Sequence, residues 1–560
     1  MMRVLVLLQA AAQLSSAVLP VKPIPAAQLA PHPPMHWHSW NQFSGEATVT
    51  ETNMREIGDA LVATGMAAAG YDTVNVVCNG WGARDNVTKR FTENKKKWPT
   101  GMAGLGKYLH SKGLKMGCYT APGKHNCCGE PGSEGHEAID AAFFAEIGCD
   151  HIMNDYCQPY QNPTISRANY AKLGKAIRAS ANPNMLYGIW HTGFGKSWKW
   201  FSDEEVGGHY TRVVTDMSNY WEKGAGSGQP GSVLKNFDVA TSIPGIQAHT
   251  VPGHYSFLDN MVVGVKPGGH AVSGPGLSTV EARAHFTMWV MAASPLLTNN
   301  DVRNMSAAIK GILMNPEVLA VHKDPLARMA ARVDVGGGVD EPHTASLDVS
   351  SSVYARPLAD GSSAVMVLNR ATTSANVSVA LEDVGSYNVT HYAIRDLWAR
   401  KNLSSVPVVN AMGYQAFNLV NTMQLAVPAH GVRLLRMWPL PPTPPACWCT
   451  PPLLPCCNAT PPAPPAPPAP ARVCPSGFDA HEPGYWHNTD PCPNNVFSNC
   501  TEDTSNGTVA LCASKCKATA GCLAFEVPGH KQSACYIFLN SLAAPFTPYA
   551  GGALTCTVRN

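Results

Sequence analysis

The sequence predicts an α/β protein: a (β/α)8 barrel, then an antiparallel β-sandwich, then a small disulfide-rich C-terminal domain. Short apolar runs alternate with amphipathic stretches over residues 31–325, β-branched runs recur over residues 326–440, and cysteines crowd residues 474–560. Because strand–helix repetition over about 300 residues is typical of parallel barrels, the first segment is expected to be the main domain.

The barrel segment contains four clear strand-like runs and three helix-like stretches. The strand-like runs are VNVV at 74–77, KMGCYT at 115–120, HIM at 151–153 and LYGIW at 186–190. The helix-like stretches cover residues 53–70, 101–113 and 136–148, and each ends at a glycine, as helices often do.

Three further segments follow the barrel. Residues 326–440 alternate in strand fashion between turn residues, which predicts the β-sandwich. Residues 441–473 are dominated by proline, including PPAPPAPPAPA, and predict an extended linker. Residues 474–560 hold eight cysteines, a density typical of a small domain stabilised by disulfides.

The N-terminus and the cysteines predict a secreted glycoprotein. Residues 1–17 combine Arg3, the apolar run VLVLLQAAAQL and small residues, which indicates a signal peptide. Eighteen cysteines then favour disulfides, and a lysosome or vacuole is the alternative destination. Sequons begin at Asn86, Asn304, Asn376, Asn388, Asn402, Asn458, Asn499 and Asn506.

Composition argues against nucleic-acid and membrane partners. The formal net charge is +2 and charged residues make up 14% of the chain, so no basic field exists to attract polyanions. No segment after the signal peptide has the long apolar run that a membrane span requires.

The stretch CDHIMNDYC, Cys149 to Cys157, places a carboxylate, Asp155, directly after an apolar run. A lone aspartate is usually a turn or cap residue. A barrel, however, carries its chemistry at the carboxyl ends of its strands. The other residues expected at these ends are Trp37, His38, Trp40, Asn79, Trp81, Tyr119, Trp190, His191, Arg212 and Asp216. Two carboxylates among aromatic side chains are what cleavage of a glycosidic bond requires.

Several segments resemble glycoside hydrolase family 27, the α-galactosidases and α-N-acetylgalactosaminidases of the melibiase clan. They are PPMHWHSWNQF, WPTGMAGLGKYLHSKGLKMGCY, PGSEGHEAIDAAFFAEIGCD, WVMAASPLLTNNDVRNMS and NPEVLAVHKDPLARMAARV. YAIRDLWARKNL and VPAHGVRLLRMW resemble the family's C-terminal β-sandwich. The resemblance runs in order over roughly residues 32–438. It implies a retaining glycosidase that needs no metal or other cofactor and acts on terminal α-linked galactose-like sugars in oligosaccharides, glycoconjugates or cell-wall glycans.

The resemblance also implies the catalytic roles. MNDYC matches the family's K-Y-D-N-C segment, which makes Asp155 the expected nucleophile. TRVVTD matches W-R-x-x-x-D, so Asp216 is the expected acid/base and Arg212 is expected to bind near the sugar's 2-hydroxyl.

The same comparison implies three features of the pocket. Trp37 matches the aromatic wall of the sugar pocket, and Tyr119 matches a tyrosine at the end of the third strand. Cys127 matches the family's partner for the cysteine after the nucleophile, so a Cys127–Cys157 disulfide is expected, with neighbouring Cys128 as an alternative partner.

The sequence differs from the family at the positions whose side chains hydrogen-bond to galactose. Val77 and Cys78 stand at the paired aspartates that hold the 4- and 6-hydroxyls, and Met153 replaces a lysine two residues before the nucleophile. The segment that selects at the 2-position is residues 190–192, which includes His191, and SFLD keeps only Asp259 of a second acidic stretch.

These losses leave two hypotheses. Each missing hydrogen bond to a buried sugar hydroxyl costs ~1–3 kcal/mol, so tight binding of plain galactose is not expected. Retention of both carboxylates and the arginine favours an enzyme with altered sugar specificity. The alternative is a catalytically impaired pseudoenzyme that binds glycans.

Other motifs have simpler interpretations. His36 and His38 share a strand face, but no acidic or cysteine partner is near them in sequence, so pocket lining is favoured over a metal site. NKKKW at 94–98 is expected to be a solvated loop. In the C-terminal domain, CASKCKATAGCLAFEV and ACYIFLN resemble a PAN/apple domain, which would bind glycan or protein. A generic cysteine-rich module is the alternative.

Overall fold

The computed structural model describes residues 22–440, except 44, 46, 158–161, 223–230, 270, 334–349, 385–390 and 408–421. It also describes residues 478–480, 522–527, 536–539 and 554–558. The predicted signal peptide and proline-rich linker lie outside these residues. The chain divides into two compact units, residues 1–448 and 449–560.

Eight parallel strands form a curled sheet of the TIM-barrel type, in the order β7-β6-β5-β4-β3-β2-β1-β8. They are β1 (Met35–His38), β2 (Thr73–Asn75), β3 (Lys115–Thr120), β4 (His151–Asp155), β5 (Leu186–Trp190), β6 (Tyr210–Arg212), β7 (Tyr255–Phe257) and β8 (Leu296–Thr298). A bridge between Met261 and Thr298 links the segment after β7 to β8, at the two ends of this order. The sheet confirms the predicted parallel α/β architecture.

Helices follow most of the strands. The stretches predicted at 101–113 and 136–148 are confirmed as α5 and α6, whereas the stretch predicted at 53–70 is divided at Gly65 into α3 and α4. The described helices are α1 (Ala26–Leu29), α2 (Trp40–Phe43), α3 (Glu51–Ala63), α4 (Met66–Ala69), α5 (Gly101–Ser111), α6 (Glu137–Glu146), α7 (Pro163–Arg178), α8 (Val233–Thr241), α9 (Thr279–Met291), α10 (Ala307–Leu313), α11 (Pro316–His322) and α12 (Leu381–Val384). Short 3₁₀ segments are Phe194–Lys199, Ile246–His249 and Val302–Asn304. Gly113 and Gly148 end α5 and α6 with positive φ, which is the usual glycine stop.

Side chains alternate between the two faces of each barrel strand, and this alternation creates two layers of core. Ile152 and Ile189 belong to the large cluster that packs the sheet against the helices. Met153 and Trp190, one residue further along, belong to a second cluster inside the curled sheet. Whether the last residue of a strand faces the interior or the helices therefore depends on its place in this two-residue alternation.

A hydrogen-bonded chain of side chains crosses the interior. The Trp190 indole donates to Tyr210 Oη (2.9 Å), which lies 2.9 Å from His151 Nε2, and His151 Nδ1 lies 2.7 Å from Asn75 Oδ1. Burial lowers the pKa of His151 well below its usual value, so its ring is neutral. A neutral ring accepts at one nitrogen and donates at the other, which satisfies both contacts and fixes the Trp190 ring.

The second domain of the first unit is an antiparallel β-sandwich, as predicted. One sheet has the order β14-β13-β16-β11-β10-β9, and the pair β12-β15 shares a hydrophobic core with it. The strands are β9 (Ala331–Arg332), β10 (Ser351–Pro357), β11 (Ser363–Asn369), β12 (Ala375–Ala380), β13 (His391–Asp396), β14 (Lys401–Pro407), β15 (Thr422–Val427) and β16 (Val432–Leu440). β12 ends at Ala380, where α12 follows.

The second unit is described only by four strands. These are β17 (Phe478–Ala480), β18 (Cys522–Val527), β19 (Tyr536–Leu539) and β20 (Leu554–Val558), in the antiparallel order β17-β20-β18-β19. Its PAN/apple character and its cysteine pairing stay predictions. Within the described ranges of the whole chain, every helix is too short or too polar to cross a membrane.

Two ion pairs of different burial join barrel helices to the β-sandwich. Arg370 contacts both carboxylate oxygens of Asp238 on α8, at 2.7 and 2.6 Å, with side chains 10% and 17% exposed. Arg395 and Glu317 on α11 form a similar pair with side chains 30% and 25% exposed. Buried charges suffer most from losing a partner because water cannot replace it.

We expect Asp238→Asn to lower the free energy of unfolding by about 2 kcal/mol, because it leaves the Arg370 charge largely buried without its counter-ion. Glu317→Gln is the matched control and should cost less, since Arg395 is solvated. Urea unfolding followed by circular dichroism measures both changes. Equal losses in the two variants would contradict the expectation.

Candidate active site

Asp155 ends β4 at the carboxyl edge of the sheet, and contacts from two other residues fix its carboxylate. Tyr119 on β3 donates its hydroxyl to Oδ2 at 2.8 Å, and the backbone N–H of Tyr156 donates to Oδ1 at 2.9 Å. The Asp155 side chain is 13% exposed. Because Asp155 and Met153 are two residues apart on one strand, both face the interior.

The Arg212 guanidinium joins Asp155 to two further carboxylates. Arg212 ends β6, and its Nη2 lies 3.5 Å from Asp155 Oδ1. Its Nη1 donates to Asp216 and lies 3.6 Å from Asp259 Oδ1. The guanidinium carbon also lies 5.5 Å from the centre of the Trp190 ring. The structure therefore brings Asp155, Asp216 and Arg212 together at one edge of the barrel.

The three carboxylates differ in their environment. Burial raises the pKa of Asp155, while Arg212 and the Tyr119 hydroxyl oppose this rise. Burial also raises the pKa of Asp259, to about 7, against the opposing effect of Arg212. Asp216 is much more exposed, with 58% of its side chain open to solvent. Burial disfavours the Arg212 cation, but the three carboxylates outweigh that effect and raise its pKa.

Asp259 is a further residue of the site. The sequence shows it as the acidic residue kept in SFLD but does not predict its contact with Arg212. Asp259 follows β7 with a positive φ of 72°, and one of its oxygens accepts from the backbone N–H of Met217. Arg212 pairs with Phe257 in the sheet, so Asp259, two residues further along the chain, comes close to the Arg212 guanidinium. The available signal was its position just after a strand.

The expected Cys127–Cys157 disulfide is present beside the carboxylate. Cys127 Sγ lies 3.4 Å from Asp155 Oδ2, and Tyr119 Oη lies 3.5 Å from Cys157 Sγ. Among the described residues, Cys127, Asp155 and Cys157 are the group of metal-ligating side chains that come together. Their sulfurs are bonded to each other, so they offer no thiolate to a metal.

Cys78 is bonded to Cys128, which settles the role of the second cysteine in the pair 127–128. Cys78 is buried in the interior cluster with Met153 and Trp190. Its sulfur is part of a disulfide, so it has no hydrogen to donate to a sugar hydroxyl.

Trp37 does not wall the pocket, which corrects the expectation from the resemblance. Its side chain is fully buried in the cluster between the sheet and the helices, and its indole donates to the Asn300 carbonyl at 2.9 Å. Strand alternation explains this, because His36 and His38 take the inward positions. Trp40, after the strand ends, packs against the interior cluster and keeps partial exposure.

His191 also points away from the interior, which corrects its placement as a sugar-binding group. Trp190 takes the inward position, so the next residue faces α7, where His191 Nε2 lies 2.9 Å from Ser166 Oγ. Burial lowers the pKa of His191 to about 3. The inward-facing His38 instead stacks on Trp190, with ring centres 4.8 Å apart.

These features define a class of protein: a barrel glycosidase, with acidic side chains gathered around an arginine at the carboxyl ends of parallel strands. Residues 32–324 match the melibiase family described as "Alpha galactosidase A", and residues 348–437 match its "Alpha galactosidase C-terminal beta sandwich domain". The chain belongs to this family, glycoside hydrolase family 27, and is an α-galactosidase-like glycosidase.

Named relatives agree with this assignment. The chain is 33% identical over 426 residues to alpha-galactosidase A of Cellvibrio japonicus (strain Ueda107), covering 74% of this chain and 93% of the relative. It is 31% identical to the alpha-galactosidase of Cyamopsis tetragonoloba, covering 67% and 81%. The crystal structure of alpha-galactosidase I from Mortierella vinacea is 27% identical, with a TM-score of 0.62, covering 73% and 97%.

Proposed function

We propose that the protein is a retaining glycoside hydrolase that removes terminal α-linked galactose-like residues by double displacement. The observation that carries this proposal is the contact of one guanidinium, that of Arg212, with both Asp155 and Asp216. Two carboxylates on either side of a glycosidic bond are the groups that this chemistry needs.

In the first step, Asp155 attacks the anomeric carbon while Asp216 donates its proton to the departing oxygen. The glycosidic bond breaks, the leaving group departs as an alcohol, and the sugar is bonded to Asp155. In the second step, Asp216 takes a proton from water. The resulting hydroxide displaces Asp155 from the sugar and restores both carboxyl groups to their starting forms.

The environments of the two carboxylates suit these different roles. Asp155 is buried and held by Tyr119, Tyr156 and Arg212, which gives a nucleophile a fixed position. Asp216 is exposed, so the water molecule that attacks in the second step can reach it. In this proposal Arg212 binds the sugar near its 2-hydroxyl when substrate enters.

The interior cluster supports an altered sugar preference. The cluster contains Cys78, at a position where the family resemblance would require a group that binds the 4- and 6-hydroxyls, and Met153, at the position of the family's lysine. A buried hydroxyl without a partner costs ~1–3 kcal/mol. We therefore propose a galactose-like ring that is less polar at this end. A β-L-arabinopyranoside fits this description because it lacks the hydroxymethyl group of galactose.

Secretion is part of the same proposal. Three disulfides lie among the described residues, which suits an oxidising compartment. The sequon residues Asn86, Asn304, Asn376 and Asn402 are exposed, as attachment of glycans would require. A lysosome or vacuole provides the alternative location. Binding of glycan or protein by the C-terminal module also stays a proposal.

The second candidate is a glycan-binding protein with impaired catalysis, and the missing galactose-gripping groups favour it. Both candidates bind sugar at the same edge of the barrel. They differ in turnover, which depends on Asp155.

We expect turnover of at least one glycoside in a panel of nitrophenyl α-galactoside, α-N-acetylgalactosaminide, α-glucoside and β-L-arabinopyranoside. Asp155→Asn should lower kcat by about 10³-fold or more, because it removes the nucleophile and keeps the side-chain shape. Asp150→Asn is the matched control, with the same change at the opposite end of β4. Binding without turnover in the wild type would support the second candidate instead.

The configuration of the released sugar tests the mechanism separately. Double displacement inverts the anomeric carbon twice, so the first product should have the same anomeric configuration as the substrate. Proton NMR of the reaction in its first minutes distinguishes the two anomers before mutarotation mixes them. Initial release of the opposite anomer would contradict a covalent intermediate on Asp155.

Met153→Lys should shift the acid limb of the kcat/KM profile to lower pH. Burial raises the pKa of Asp155, and a cation two residues away on the same strand face should lower that pKa. Since Asp155 attacks as the anion, activity then persists at lower pH. Met153→Leu is the uncharged control of similar volume. Coincident acid limbs in the two variants would contradict this role for position 153.

A further inference from the structure

One nitrogen of Arg212 lies within reach of two carboxylates. Nη1 donates to Asp216 and also lies 3.6 Å from Asp259 Oδ1. Within the part of the chain that the structure describes, Asp259 Oδ1 is buried and has no hydrogen-bond partner. A buried oxygen without a donor is costly, so an arrangement of the site in which a donor reaches it is favoured. A charge-assisted contact is normally about 2.8 Å long, so Nη1 would reach Asp259 by moving about 1 Å.

Asp259 itself is held firmly in place. Its positive φ is uncommon for a residue with a side chain, and such a conformation persists only where the surroundings determine it. The Trp289 indole on α9 donates to the Asp259 carbonyl at 2.8 Å. The second carboxylate oxygen accepts from the backbone N–H of Met217. Asp259 is therefore a stationary acceptor beside Arg212.

The backbone around Asp216 is also fixed, whereas its side chain is exposed. Asn236 Nδ2 donates to the Thr215 carbonyl at 2.9 Å, and Asn41 Nδ2 donates to the Met217 carbonyl at 3.1 Å. Both asparagines are buried. The Asp216 side chain is 58% open to solvent, so it can rotate toward a substrate without moving the loop that carries it.

The contact between Arg212 and Asp216 conflicts with the first step of the proposed reaction. In that step Asp216 donates a proton to the departing oxygen, so it must be neutral. A neighbouring cation favours the charged form of a carboxyl group. Nη1 therefore needs another acceptor while Asp216 holds its proton. Asp155 does not fill that place, because it faces the other nitrogen, Nη2, at 3.5 Å.

We propose that Asp259 is a positioning residue that accepts Arg212 Nη1 whenever Asp216 holds its catalytic proton. Arg212 then alternates between two acceptors, so that Asp216 is neutral in the first step and charged again in the second. Asp259 forms no bond to the substrate. The proton that Asp216 gives to the departing oxygen is recovered from water in the second step. The inference rests on the proposed function, because it takes Asp216 as the acid/base.

The charge state of Asp259 can follow this motion. Burial raises the pKa of Asp259 to about 7, while the Arg212 cation on β6 opposes that rise and the Asp216 anion adds to it. A cation acts more strongly at a shorter distance. When Nη1 moves from Asp216 to Asp259, it therefore favours the anion at Asp259 and no longer holds the charge at Asp216.

The test compares the phenyl and the dinitrophenyl glycoside of the panel sugar that the wild type hydrolyses fastest. Phenoxide needs the proton from Asp216 to leave, whereas dinitrophenoxide is stable enough to leave without it. We expect Asp259→Asn to lower kcat/KM for the phenyl glycoside by about tenfold or more, and to leave kcat/KM for the dinitrophenyl glycoside unchanged within about twofold. The asparagine keeps an acceptor for the Met217 N–H but offers Arg212 no anion.

Two further variants calibrate this comparison. Asp301→Asn is the matched control: Asp301 also follows a barrel strand, β8, and pairs with the Nε of Arg303 at 2.9 Å, and its loss should leave both glycosides unchanged. Asp216→Asn should lower kcat/KM for the phenyl glycoside by about 10²-fold or more. In that background Asp259→Asn should add no further loss, because two residues that act through one proton are not additive.

The outcomes separate this inference from the proposed function. Equal losses for the two glycosides in Asp259→Asn, no loss for either, or additive losses in the double variant overturn the role of Asp259 and leave the proposed function in place. If circular dichroism shows that Asp259→Asn does not fold, Asp259→Ser replaces it in the same comparison. A wild type that turns over neither glycoside, or equal losses for both in Asp216→Asn, overturns the proposed function instead.

Discussion

The carboxyl edge of the barrel depends on one buried cation, the guanidinium of Arg212. With its side chain only 6% exposed, this charge would be costly to fold without counter-ions. Asp155, Asp216 and Asp259 supply them from the end of β4 and from the loops after β6 and β7. One ionic contact set therefore fixes the relative positions of three separate chain segments. The site's electrostatics and its geometry cannot be changed independently.

This arrangement places three carboxylates around one cation, and two of the three, Asp155 and Asp259, are buried. Burial raises the pKa values of Asp155 and Asp259, and Arg212 must compensate for both. The family resemblance places a lysine at position 153, and the methionine there removes that second compensating charge from the interior. The interior cluster beside the site consists of sulfur-containing, aromatic and aliphatic side chains.

Much of the fold and part of the site could be predicted from the sequence. Apolar periodicity and glycine stops located α5 and α6, and motif order brought Asp155, Arg212 and Asp216 together. Trp37 and His191 were misplaced because a motif match does not reveal strand parity. One residue of register decides between the interior and the helix layer. The Cys78–Cys128 bond depends on a contact between two loops, and the position of Asp259 depends on the pairing of β6 with β7. Local sequence patterns determine neither.

The two disulfides formed by neighbouring Cys127 and Cys128 make the site a pairing problem during biogenesis. Four cysteines can pair in three ways, and only one of these joins Cys78 to Cys128 and Cys127 to Cys157. If Cys127 and Cys128 exchanged partners, Cys78 after β2 would bond to Cys127 and Cys157 after β4 would bond to Cys128. Correct pairing of these four sulfurs is therefore a requirement that the site adds to folding of the sheet.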